Sequence, residues 1–232
     1  MSTPKEPKYR KRVGYQAVLL GGFSTLATAL LVAGNIATKD DIKARQKEDL
    51  LRSLNQVIPT EHYDSDLLHQ PITIPDSKGD NLTIYRGLKG MQVNALAWEV
   101  VGKGYAGDIR LIMGIDAKGE VLGVRVLAHA ETPGLGDKIE IAKDDWILSF
   151  NDHSLANTTS KEWHVKKDGG KFDQFSGATI TPRAVVTAVH DGLVFFNQHT
   201  DELLSPPVIN SDDEPLQRAS FEPESSNSTT PK

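Results

Sequence analysis

Residues 95–127 read ALAWEVVGKGYAGDIRLIMGIDAKGEVLGVRVL. Ala95 to Val101 has the apolar, β-branched character of a strand. Gly102-Lys103-Gly104-Tyr105-Ala106-Gly107 interrupts it with a glycine-rich loop. Ile109 to Ile115 is a second apolar run, Asp116-Ala117-Lys118-Gly119 a turn signal, and Val121 to Leu127 a third strand-like run. The last two runs therefore predict a β-hairpin.

Working outward, His129-Ala130-Glu131-Thr132-Pro133-Gly134-Leu135-Gly136-Asp137 follows the hairpin as a tight loop, set by its two glycines and one proline. A helix is expected next, with Trp146, Ile147 and Phe150 facing a core. Residues 181–199, TPRAVVTAVHDGLVFFNQH, give the clearest helical pattern of the polar part of the chain. Val185, Ala188, Val189, Gly192, Leu193 and Phe196 recur at helical spacing. Thr181 is the expected N-cap and Pro182 the expected first helical residue, where a missing N–H costs nothing. Upstream, residues 59–90 are mixed, with a short strand possible at Leu82 to Tyr85. Residues 39–58 hold good helix formers and no Gly or Pro, with a sparse stripe at Ile42, Leu50, Leu51, Leu54 and Ile58. From Ser205 onward, five prolines, six serines and an acidic bias predict a disordered tail without chemistry.

The first 38 residues are of a different kind. Lys5, Lys8, Arg10, Lys11 and Arg12 stand against Glu6, a local charge of +4, so the rest of this −5 chain carries −9. An acidic body is a poor partner for nucleic acid, whose phosphates require Lys and Arg clusters. Val13 to Thr38 is 26 residues without a charge. As a helix it would extend ~39 Å, enough for a ~30 Å hydrocarbon core. The basic flank places the N-terminus in the cytoplasm and the remainder outside. A cleaved signal peptide has a shorter apolar region, about 7–15 residues. Small residues at Ala27-Thr28-Ala29 leave cleavage open, but the length favours a retained anchor. The chain has no cysteine. This excludes disulfides, thiolate-held iron–sulfur clusters and Cys-type zinc sites.

Chemistry concentrates in Asp173-Gln174-Phe175-Ser176-Gly177-Ala178-Thr179-Ile180-Thr181-Pro182. Ser-Gly-Ala-Thr is a small-residue turn feeding a helix start. Small side chains admit another molecule close to the backbone. A helix N-terminus offers unpaired N–H groups and partial positive charge, which favour a phosphate. Spacing alone leaves two readings open, an anion site or a plain helix cap after a turn.

The segment resembles the flavinylation motif of covalent FMN proteins, Asp-x-x-(Ser/Thr)-Gly-Ala-(Ser/Thr). It is most similar to the G subunit of the Rnf (Rsx) electron-transport complex and its relative, the C subunit of the sodium-pumping NADH:quinone reductase. Asp173, Ser176, Gly177, Ala178 and Thr179 fill the motif. Gly102 to Ile109 resembles the family's Gly-Tyr-x-Gly-x-Ile segment, and His129 to Gly136 its His-x-Glu-Thr-Pro-Gly-Leu-Gly signature. The resemblance extends over residues 1 to 200.

It implies an α+β FMN-binding domain behind a single transmembrane helix, with FMN joined to Thr179 by a phosphodiester that a separate flavin transferase makes from FAD. Asp173 would serve recognition by that enzyme, or structure. Ser176, Gly177, Ala178, Thr181, Glu131, Thr132, Gly134, Leu135 and Gly136 are the implied cofactor-binding residues, with the Gly102–Gly107 loop and Trp146 as further candidates. For Trp146 a core aromatic is the equal alternative. The implied role is an electron carrier in a bacterial inner-membrane, ion-translocating oxidoreductase, whose other subunits are its partners. One span without ionisable residues cannot itself move ions. The organisation expected is a cytoplasmic basic tail (1–12), an anchor (13–38), a helical stalk and connecting region (39–90), a periplasmic FMN domain (91–200) and an acidic tail (201–232).

The seven histidines show no metal-binding spacing, so no metal site is expected. His129 lies beside the loop of interest, where a structural role is favoured over a flavin contact. Two rival readings remain: an anchored module that binds a phosphate ligand reversibly at the Thr179 helix terminus, and a signal-cleaved soluble flavoprotein.

Overall fold

The computed structural model describes residues 13–69, 71–75, 79 and 81–206, side chains at 36, 37, 40, 41 and 43 excepted. The basic tail at 1–12 and the acidic segment from 207 lie outside the described residues. The chain divides into two units, Met1–Arg52 and Ser53–Lys232.

The described part of the first unit is helical. Helix α1 runs Val13–Val57 without interruption, so the expected anchor and the expected following helix are one element. No Gly or Pro lies between Asn35 and Val57 to break it. Val13–Asn35 is long and apolar enough to cross a membrane, with a mean hydropathy of 1.9. Its threonine hydroxyls are satisfied within the helix: Thr25 and Thr28 donate to the carbonyls of Gly21 and Ser24 at 2.9 Å. Such back-bonding removes the cost of a polar group in hydrocarbon.

The second unit is built on a five-stranded antiparallel meander, β1 (Ile72–Pro75), β2 (Asn81–Lys89), β3 (Gln92–Lys103), β4 (Asp108–Asp116) and β5 (Val121–Ala128), in sequential order. The expected hairpin is β4–β5, with Met113 opposite Val124 and Gly114 opposite Gly123. Strand β3 absorbs Gly102 and Lys103, which leaves only 104–107 for the loop. The boundary expected at residue 91 falls inside the β2–β3 hairpin, where Ile84 pairs with Trp98 and Arg86 with Leu96. The sheet therefore starts at residue 72. Arg86 and Gly87 interrupt the apolar alternation of β2, which hides it in the sequence.

One face of the sheet carries Leu96, Trp98, Leu111 and Met113, all buried. Helix α2 (Ile180–Gln198) covers it through Val185, Val189, Leu193 and Phe196. Each such side chain contributes about 1.5–3 kcal/mol on burial. Two glycines set the approach: a Cβ on Gly102 would lie 2.6 Å from the Ala184 carbonyl oxygen, and one on Gly192 would strike the Met113 sulfur. The opposite face has a notch at Gly114 and Gly123, into which the backbone of Val57 fits. Leu54, Val57 and Ile58 are fully buried there.

The helix expected around Trp146 is a short 3₁₀ segment, Asp145–Phe150, capped by the Asp144 carboxylate accepting from Trp146 N–H at 2.9 Å. Its three-residue repeat puts Ile147 and Phe150 on one side, and these two and Trp146 are buried as expected. Helix α3 (Thr200–Leu203) runs into the segment 201–232 expected to be tail, and Leu203 is fully buried, so the folded body continues past residue 200.

Candidate functional site

Three loops meet at the start of α2. The first is the turn Phe175-Ser176-Gly177-Ala178, closed by Ala178 N–H donating to the Phe175 carbonyl at 3.2 Å. Gly177 has φ +82°, the conformation that the third position of a type II turn requires. Phe175 is buried edge-on against Trp146, with ring centroids 5.1 Å apart. The Trp146 indole N–H donates to the Asp173 carbonyl at 2.8 Å. Trp146 is thus a core aromatic that fixes the motif from beneath. The exposed Asp173 carboxylate pairs with Lys166 at 2.7 Å.

Helix α2 begins two residues before the expected start. Thr179 is its N-cap and makes no side-chain capping bond. Thr181 lies inside the first turn, and Pro182 follows it there, still among residues whose N–H has no intrahelical partner. The Thr181 side chain is turned to a non-local partner: its hydroxyl, 1% exposed, donates to Oε2 of Glu131, 50 residues earlier.

Glu131 is the knot of the site. It is 5% exposed, and its other oxygen, Oε1, accepts the Ala106 N–H at 3.0 Å. The carboxylate therefore joins the 104–107 loop, the 129–137 loop and α2. Gly104 and Gly136 make room: a Cβ on either would collide with Glu131, and one on Gly136 also with the Thr181 hydroxyl at 2.8 Å. Glu131 and Thr181, expected as cofactor contacts, are committed to each other.

The second loop is a type II turn. Leu135 N–H donates to the Thr132 carbonyl at 3.1 Å, with Pro133 second and Gly134, φ +79°, third. Asp137 locks it, one carboxylate oxygen accepting Gly134 N–H at 2.7 Å and the other facing Lys143 Nζ at 3.3 Å. The Gly134 hydrogen bond, helped by Lys143 and opposed by burial, holds the Asp137 carboxyl below its ordinary 3.8. A folded-state value below the unfolded one contributes stability above the ordinary carboxylate range, and this is lost as pH falls through the lowered value. Asp137→Asn is therefore expected to lower Tm at neutral pH. The gap from the parent should close as the pH is taken below 3.8, read by thermal melts across pH.

His129 is structural, as favoured from sequence. Its Nδ1 accepts the Glu131 N–H at 3.0 Å, so Nε2 carries the proton and donates to Glu140 at 2.8 Å. Arg183, in the first turns of α2, makes a two-pronged pair with Asp168 at 2.6 Å on each prong. Nothing local in the sequence announces that pair.

Around Thr179 and Gly177 the surface is apolar. Leu135 is 43% exposed and Ile180 45%, and Leu135 reaches within 3.6 Å of where a Gly177 Cβ would sit. The structure thus brings together Ser176, Gly177, Ala178, Thr179, Thr181, Glu131, Leu135 and Gly136. Thr132 and Gly134 lie on the exposed crest of their turn.

A helix long and apolar enough to cross a membrane, followed by a domain whose 19-residue helix starts at an uncapped threonine behind a small-residue turn, is the outline that a membrane-attached, cofactor-binding protein would have. Comparison with known proteins agrees. Residues 104–194 match the FMN-binding domain family, and residues 1–57 match the RnfG N-terminal region. The G subunit of the ion-translocating oxidoreductase complex of Cereibacter sphaeroides is 48% identical over 194 residues, 84% of this chain and 89% of the relative. The corresponding protein of Shewanella loihica is 47% identical over 204 residues, 86% and 96% of the two chains. That of Stutzerimonas stutzeri is 44% identical over 187 residues, 81% and 82%. The chain belongs to the RnfG family, the G subunits of ion-translocating oxidoreductase complexes. Among solved structures, Shewanella oneidensis NqrC aligns at a TM-score of 0.42 with 22% identity, over 65% of this chain and 73% of that one.

Proposed function

We propose that this protein is the FMN electron-carrier subunit of a membrane-bound, ion-translocating oxidoreductase of the Rnf type, and that FMN is held through a phosphodiester to Thr179. The observation that carries the reading is Thr179 itself. It lies inside the segment matched by the FMN-binding family, at the entrance of a 19-residue helix, with a hydroxyl that makes no capping bond. The residues present fit the group. The first backbone N–H groups of α2 suit a phosphate diester. Ser176, Gly177 and Ala178 keep side-chain bulk away from it, and the exposed Leu135 and Ile180 offer apolar cover for a ring.

Bound FMN supplies electron transfer in steps of one or two. The chain's own part is to hold, orient and shield. Among the described residues no carboxylate or histidine bonds the Thr179 hydroxyl, and the nearby Glu131 is engaged with Thr181 and Ala106. A separate flavin transferase therefore provides the base for attachment. The span Val13–Asn35 anchors the protein, with the basic N-terminal residues on the cytoplasmic side and the domain on the periplasmic side of the bacterial inner membrane. The other subunits of the complex are its partners, and ion movement is theirs.

The test is flavin fluorescence of the full chain on a denaturing gel, co-expressed with the flavin transferase, wild type beside Thr179→Ala. A bright wild-type band and a dark variant are expected. Two dark bands, with a control substrate labelled, would overturn covalent attachment and favour reversible binding of a phosphate ligand at the same helix terminus.

A further inference from the structure

Arg86 is the one arginine buried among the described residues, at 5% exposure. It stands opposite Leu96 in the sheet register, on the face that α2 covers. A guanidinium does not give up its proton in a protein, so this is a full charge taken out of water. Among the described residues its hydrogen bonding is a single link, Nη1 donating to the Ser205 carbonyl at 3.1 Å, and its buried Nε has no partner. No carboxylate among the described residues pairs with it. Arg110 and Arg183, both more exposed, each grip a carboxylate with two prongs, on Glu99 and Asp168. Burial works against the Arg86 charge, with no described anion to offset it. A buried ion without a counterion is costly, and a buried polar atom without a partner calls for one.

The course of the chain points to the source of that anion. Ser205 is exposed, so the guanidinium ends one hydrogen bond below the surface. The Ser205 hydroxyl donates to the Glu202 carbonyl at 2.7 Å and Leu203 is fully buried, which fixes this point to the body. The C-terminal segment therefore departs from beside Arg86. Asp201 and Glu202, just before it, are exposed and form no ion pair with Arg86. The next carboxylates along the chain are Asp212, Asp213 and Glu214, seven to nine residues beyond Ser205. Seven extended residues reach about 24 Å, which leaves ample chain for a return. Asn210 and Ser211, directly before the trio, are turn-forming residues. So short a tether holds the trio near Arg86 at an effective concentration of about millimolar. No lysine or arginine lies between Ser205 and Glu214 to compete for the carboxylates.

We propose that Arg86 is the docking point of the chain's own acidic segment Asp212-Asp213-Glu214, which turns back past Ser205 and seats a carboxylate on the guanidinium. The C-terminal segment is then a strap closed over the β2 side of the body. This holds whether or not Thr179 carries FMN.

The experiment uses the full-length chain in detergent and follows tryptic cleavage after Arg218, four residues beyond the trio, by the appearance of the 1–218 fragment in mass spectra. Four proteins are compared: the parent; the trio neutralised by Asp212→Asn, Asp213→Asn and Glu214→Gln together; Arg86→Met; and the two changes combined. Neutralising the trio is expected to speed the cut several-fold, and so is Arg86→Met. The combined protein should be cut no faster than the faster of these two, because both changes break the same contact. Tm should follow the same pattern, lowered by neutralisation in the parent and unmoved by it in Arg86→Met. A neutralised trio cut at the parental rate would overturn the proposal and leave Arg86 to a carboxylate of a partner subunit. An equal acceleration by neutralisation in both backgrounds would also overturn it, since the carboxylates would then act elsewhere. If Arg86→Met does not fold, Arg86→Gln takes its place, and the neutralised trio, altered only in the C-terminal segment, still decides.

Discussion

Glu131→Ala is expected to destabilise the folded body by about 3 kcal/mol, whereas Glu131→Gln should cost less than about 1 kcal/mol. The alanine removes the only acceptor of the buried Thr181 hydroxyl among the described residues and the acceptor of the Ala106 N–H. A buried donor left without a partner costs about 1–3 kcal/mol, and the emptied volume adds to it. The glutamine keeps both bonds by a different arrangement. Its carbonyl accepts from Ala106, and its amide donates to Thr181, whose hydroxyl can turn from donor to acceptor. Glu131→Ala should melt about 6–12 °C lower than the parent, on the scale of a body of this size. Thermal unfolding of the detergent-solubilised chain, followed by near-ultraviolet circular dichroism, measures both. If the glutamine variant falls as far as the alanine one, the carboxylate charge rather than its hydrogen bonding holds the loops together.

Gly114→Ala is expected to be at least as damaging, by about 3 kcal/mol or more. A methyl at this position would run into the carbonyl of Val57 and lie 3.1 Å from the Val57 Cβ. The obstacle is backbone, which cannot step aside as the end of a flexible side chain does. Gly123, its partner in the sheet register, meets the Val57 Cα only at 3.1 Å, so Gly123→Ala should cost clearly less. The order of the two melting temperatures is the test. Equal values would mean that the end of α1 is free to lift off the sheet.

The parts legible in the sequence are those whose signal is local. The alternation of β3, β4 and β5 and the helical repeat of α2 need only neighbouring residues, and each element lies where its pattern puts it. The two type II turns can be read from glycine and proline alone. The helix start differs from the expected one for a physical reason. A threonine followed by proline favours a cap, but the Thr181 side chain is buried inside the first turn, directed at a partner 50 residues away. The same remoteness hides the role of Glu131, the Arg183–Asp168 pair and the seat of Trp146 on Asp173. Strand β2 is obscured because a buried arginine breaks its apolar alternation.

The sequential meander has a consequence for how this protein matures. Every strand pairs with its neighbour in the chain, so the sheet can close hairpin by hairpin with little entropy spent on long loops. Helix α2, which must cover the finished sheet, is separated from β5 by about fifty residues and comes almost last. Thr179 stands at its first turn. The proposed attachment threonine is consequently presented in its native setting only on a chain that has already folded, and an enzyme that reads this setting would modify finished molecules and pass over incomplete ones.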